Sequence, residues 1–153
     1  MRKSMTVFIA FAVLAAGGAA WADTNTLTVQ ASVLGTCRFS SPDSTLSFGA
    51  LDPSVGTDVS GSIPTTYWCT KGVTPTFSAN MGGNSGGGPT RRMVDIGSGD
   101  LIPYSLSLSG DSTASAGPGS LRTLTITGNV VGADYISKSA GGYSDTVLIS
   151  LTP

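Results

Sequence analysis

Apolar and polar residues alternate one by one in several stretches of this chain. In residues 23–34, reading DTNTLTVQASVL, Leu27, Val29, Ala31 and Val33 alternate with Thr28, Gln30 and Ser32. A period of two gives one apolar and one polar face, as a half-buried strand requires. Residues 102–109 repeat the pattern, with Ile102, Tyr104, Leu106 and Leu108 on one face and Ser105, Ser107 and Ser109 on the other. Residues 124–130 set Leu124, Ile126 and Val130 against Thr125, Thr127 and Asn129. Shorter runs carry the same signal. Leu46 and Phe48 share a face and are closed by Gly49, and Ile63, Thr65, Tyr67 and Cys69 share one parity, which turns the cysteine inward. Residues 73–80 place Phe77 and Ala79 together, with Pro75 marking an edge or a bulge. The final run, residues 143–151, holds Val147, Ile149 and Leu151 in register. Turn-forming clusters at 40–43, 50–62, 71–72, 110–120 and 141–142 separate these runs. About seven short strands with one wet face each predict an all-β sandwich.

The first residues follow another rule. Arg2 and Lys3 precede a mostly small and apolar run, and Ala20-Trp21-Ala22 is an A-x-A cleavage site. Residues 1–22 are therefore expected to be a secretory signal peptide, too short to span a membrane comfortably. No later stretch is apolar enough for a span, so no membrane segment is expected after cleavage. Removing 22 of the 153 residues leaves 131, enough for one domain with a real core. Taking Arg2 and Lys3 from the eight cations leaves six against nine acids, a net charge near −3. No basic patch exists, which argues against nucleic acid as a partner.

Cys37 and Cys69 are the two cysteines of an exported chain, and an even count in an oxidising compartment reads as one disulfide. Two free thiols are the alternative. A metal pair is disfavoured, because the chain has no His and two thiolates do not complete a site. The same lack removes the serine and cysteine triads. All nine acids are Asp, mostly in turns that favour Asp for local hydrogen bonds. No enzymatic activity, cofactor or metal is expected. Residues 82–88, GGNSGGG, imitate a phosphate-binding loop only superficially, since no GK[ST] follows; a flexible hairpin loop is expected. Arg91 and Arg92 are read as surface ion-pair partners or as the brace of a loop. The aromatics Tyr67, Trp68, Phe77, Tyr104 and Tyr143 are read as core and interface rather than a sugar platform.

The order of motifs is more specific than any one of them. An alternating N-terminal strand is followed by Cys37, LSFG at 46–49, YWCT at 67–70, RRM at 91–93, PYSLSLSG at 103–110, ITGNV at 126–130 and GGYSDTVLISL at 141–151. This series resembles the spore coat protein U domain, the subunit family of archaic chaperone–usher pili, across essentially all of residues 23–153. The resemblance implies an incomplete immunoglobulin-like sandwich, residues 35–153, that lacks its last strand and leaves an apolar groove open. Val147, Ile149 and Leu151 would form the groove's edge, with Cys37 and Cys69 bracing the sandwich. It also implies a periplasmic chaperone that fills the groove first, an outer-membrane usher, and neighbouring copies in a surface fibre.

Three readings of the N-terminal segment follow. Residues 23–34 are a donor strand, given by Leu27, Val29, Ala31 and Val33 to the next subunit; or residues 26–34 are simply the first strand of a self-contained sandwich; or the proximal part pairs at home and the distal part is donated. The expected function is accordingly a structural subunit of a surface pilus. The alternatives are a monomeric secreted or tip-adhesin binding module and a spore-coat protein of the same fold.

Overall fold

The computed structural model describes residues 21–153. The predicted leader lies outside the described residues except for Trp21 and Ala22. The chain divides into two units, Met1–Ser32 and Val33–Pro153. Of the first, residues 21–32 are described; they are exposed and belong to no strand. Among the described residues, no helix is long and apolar enough to cross a membrane.

The second unit is all-β. Its strands are β1 (Cys37–Phe39), β2 (Val59–Cys69), β3 (Thr76–Ala79), β4 (Arg91–Asp95), β5 (Leu101–Gly110), β6 (Arg122–Val130), β7 (Tyr143–Ser144) and β8 (Ile149–Thr152), with one 3-10 turn at Gly132–Asp134. Six strands form one sheet in the order β1-β2-β6-β5-β4-β7, and β3 and β8 form a second. All the pairings are antiparallel.

Alternation explains the core. Ile63 pairs with Ile126, and Ile126 with Leu108, so a row of inward side chains crosses three strands. Tyr67, Cys69, Leu124 and Ile126 form one buried cluster; Ile102, Val130 and Tyr135 form another. Tyr67 meets Phe77 edge-on with ring centroids 5.0 Å apart, joining the large sheet to the small one. Cys37 and Cys69 face each other in the β1–β2 register and are disulfide-bonded, with Cα atoms 4.0 Å apart.

Several stretches differ from expectation. Residues 23–34, with the period of a half-buried strand, are exposed and form none, and Arg91–Asp95 is a strand that no alternation announced. β2 begins at Val59, inside the predicted 50–62 loop, because its pairing with β6 extends to Val59↔Val130. Residues 45–48 keep the predicted parity, with Leu46 and Phe48 half-buried, but make no ladder. They lie on the face of the large sheet over Gly61 and Gly128, which are register partners. A Cβ on Gly128 would stand 2.7 Å from Phe48 Cζ and 2.8 Å from Leu46 Cδ2; one on Gly61 would stand 2.7 Å from the Ser47 carbonyl. Two adjacent missing side chains thus make the recess in which this strap rests. Finally, the single run predicted over 143–151 is two strands: β7 pairs with β4 in the large sheet and β8 with β3 in the small one.

Asp145 marks that change of sheet. Its carboxylate accepts hydrogen bonds from Tyr104 Oη (2.7 Å), Gly83 N (2.9 Å) and Asn84 Nδ2 (3.0 Å). It therefore ties the crossover to β5 and to the glycine-rich loop. Arg91 braces the same region, donating from Nε to the Asn80 carbonyl at 2.8 Å and from Nη2 to the Ala79 carbonyl at 3.1 Å.

Candidate functional site: an open apolar groove

The inward faces of β2, β5 and β6 are not fully covered. A groove of about 1140 Å³ runs over Ile63, Ile102, Leu106 and Ile126. One side is the strap, with Leu46 and Phe48; the other is the crossover and the start of β8, with Val147, Leu148 and Ile149. Phe48 of the strap and Tyr104 of β5 both line the groove, with ring centroids 6.2 Å apart. Burial pushes the Tyr104 hydroxyl well above the usual tyrosine range, and the hydrogen bond to Asp145 and its charge push it further.

The main chain on the β8 side has a definite phase. Asn80 N donates to the Leu148 carbonyl at 3.1 Å, and Leu148 N donates to Asn80 Oδ1 at 3.0 Å. The register then pairs Ser78 with Ser150 and Thr76 with Thr152. In an antiparallel ladder the residues between these turn their N–H and C=O groups the other way. Val147, Ile149 and Leu151 are those residues, and β8 has no second neighbour strand among the described residues. The positions that send apolar side chains inward therefore also present unpaired main-chain groups outward along the edge. Such a trough suits an extended chain, which fills pockets with alternate side chains and pairs its backbone with the edge.

The sequence-predicted residues divide as follows. Val147 and Ile149 line the groove. Leu151 continues the same edge but packs against the Tyr67 cluster. Leu27 and Val29 are 81% and 83% exposed and Val33 is 86% exposed, in stretches that form no strand. Ala31 is exposed as well. Sequence reasoning did not assign the strap to the groove; its signal is the Gly61–Gly128 pairing, legible only once the register of β2 and β6 is known.

The chain that leads into β1 is pinned. Thr70 N donates to the Thr36 carbonyl at 2.8 Å, extending the β1–β2 register one step beyond Cys37↔Cys69. Thr36 N donates to Thr70 Oγ1 at 3.1 Å. The Thr70 hydroxyl in turn donates between the Leu34 carbonyl (3.2 Å) and the Thr36 carbonyl (3.3 Å).

The fold is thus an immunoglobulin-like β-sandwich whose two sheets leave one apolar seam unfilled. The model of the Spore Coat Protein U domain matches residues 23–150, and the chain belongs to that family. No curated protein matches it. Among solved structures it is similar to a chain of the CsuC–CsuE chaperone–tip adhesion subunit pre-assembly complex from the archaic chaperone–usher Csu pili of Acinetobacter baumannii. The two are 20% identical with a TM-score of 0.50, a likeness of fold, over 78% of this chain and 40% of that one. This chain therefore spans well under half the length of the one it matches.

Proposed function

We propose that this protein is a structural subunit of a surface pilus, polymerised by strand donation. Leu27, Val29, Ala31 and Val33 of one copy enter the groove of the next and pair with the edge at Val147, Ile149 and Leu151. A periplasmic chaperone occupies the groove before assembly, and an outer-membrane usher exchanges it for the neighbouring subunit's strand. The reading rests on one observation: a groove whose apolar lining and unpaired main-chain edge are in the same phase, in a chain that also carries an exposed alternating segment.

The energies are adequate. Burying Leu27, Val29 and Val33 at about 1.5–3 kcal/mol each gives roughly 5–9 kcal/mol gross. Ordering the segment offsets part of this, and ladder hydrogen bonds add to it. Because donation runs head to tail and does not close on itself, it yields a filament.

Non-boiled SDS gel electrophoresis of surface-extracted protein tests the reading. Wild type is expected to give a ladder, and Val29→Asp to abolish it, since a carboxylate would have to be buried among Ile63, Leu106 and Ile126. A stable monomer from both would refute strand donation. It would favour a monomeric secreted binding module or adhesin.

A further inference from the structure

We infer that Thr70 is a positioning residue that decides where the N-terminal strand goes. By holding the chain straight on both sides of Gly35, it directs the strand to another copy and away from the subunit's own groove. The inference rests on the strand-donation reading above.

The competition it must settle is severe. A strand tethered to its own domain meets its own groove at an effective concentration on the order of millimolar, which a separate copy has to overcome. To fill its own groove the chain must reverse direction just before β1. The tightest reversals, two-residue hairpin loops, favour residues that accept positive φ: Gly, Asn or Asp. Between residues 26 and 36 the sequence offers one, Gly35. Gly35 is not among the glycines at positive φ, so this hinge is unbent in the structure.

Thr70 accounts for that. Its hydroxyl and main chain bond Thr36 on one side of Gly35, and its hydroxyl reaches Leu34 on the other. The space beside the glycine is also taken: a Cβ there would stand 3.2 Å from Val73 Cγ2 and 3.7 Å from Pro153 Cβ. A bend at Gly35 therefore has to break the bonds to Thr70. A bend further out falls in residues 30–33, Gln-Ala-Ser-Val, which hold no Gly, Asn or Asp for the tightest hairpin loops. It would also consume Ala31 and Val33, leaving Leu27 and Val29 to fill the groove.

The test uses the exported full-length chain as wild type, Thr70→Val, and the double variant Thr70→Val with Gly35→Ala. Valine keeps the branched shape and removes the hydroxyl. Non-boiled SDS gels of periplasmic and surface fractions resolve the ladder from a compact monomer that shifts only on boiling. Thr70→Val is expected to raise the ratio of compact monomer to ladder by about two- to tenfold for each hydrogen bond lost. Adding Gly35→Ala, which strains a positive-φ bend and asks only a few tenths of an ångström of give from Val73 in the unbent chain, is expected to bring the ladder back. A merely structural role for Thr70 would lower ladder and compact monomer together and would not be reversed at position 35. That outcome, or an unchanged ratio in Thr70→Val, overturns the inference. A wild type without any ladder overturns the strand-donation reading itself, and this inference with it.

Discussion

Replacing Asp145 with Ala should cost more than any other single change to a surface-proximal polar residue in this domain. Three hydrogen bonds from distant parts of the chain end on its carboxylate: Tyr104 Oη and Asn84 Nδ2, both part-buried, and Gly83 N, exposed. Hydrogen bonds to charged groups contribute about 1.5–3 kcal/mol each when sheltered, and less when wet. The two sheltered bonds alone give an expected loss of about 3–6 kcal/mol, to which the wet bond adds little. Asn at this position keeps one acceptor oxygen for Gly83 and Asn84 but turns an amide toward Tyr104, so about half of that loss is expected. Urea unfolding of the oxidised protein measures both through the midpoint at constant slope. A difference below about 0.5 kcal/mol between Asp145→Ala and wild type would refute the reasoning, since that is the scatter of inconsequential surface changes. Alkaline pH supplies a second reading. Tyr104 is held above the ordinary tyrosine range by burial first, then by Asp145. Its contribution is intact below the unfolded value of about 10, where both states keep the proton. Above that pH the unfolded state releases its proton while the folded state retains it, so stability falls as pH climbs toward the folded value. Asp145→Ala removes two of the causes that raise the hydroxyl, and the fall should become shallower.

Two further outcomes are expected. The Cys37–Cys69 bond joins residues 32 apart in sequence. Replacing both cysteines with Ala should cost about 3–4 kcal/mol in urea unfolding, and adding reductant to wild type should reproduce the loss; equal midpoints would exclude any bracing role. Gly128→Ala places a methyl against Phe48 and Leu46. It should cost about 1–3 kcal/mol by overpacking and weaken ladder formation as the strap shifts, whereas Gly119→Ala, where a Cβ meets nothing within 4 Å, serves as the neutral control.

Strands β5 and β6 were legible because each buries one face along its length, so the period of two survives intact in Ile102, Leu106, Leu108 and in Leu124, Ile126, Val130. The last run misled for an instructive reason. Alternation persists from Tyr143 to Leu151 although the chain changes sheets in between, because both sheets face the same core and periodicity does not say which neighbour supplies the hydrogen bonds. Asp145 resembled every other turn aspartate, and its partners lie 41 to 62 residues away. Likewise the parity of Leu46 and Phe48 was correct, but a strap lying on a sheet and a strand at its edge have the same pattern. What separates them is a pair of glycines brought side by side by register. Thr70, next to the second cysteine, stood within a recognised motif without a role that spacing could assign.

The disulfide has a consequence for a subunit under tension. A pull applied at Leu34 loads β1, a strand of three residues that would peel easily from its neighbour if held by hydrogen bonds alone. The covalent link at Cys37 passes that load into β2 instead, whose ladder with β6 spans nine residue pairs from Val59↔Val130 to Tyr67↔Arg122. Force directed along those strands must shear the pairs together rather than unzip them in turn. A strand of only three residues is thereby excused from bearing the load alone.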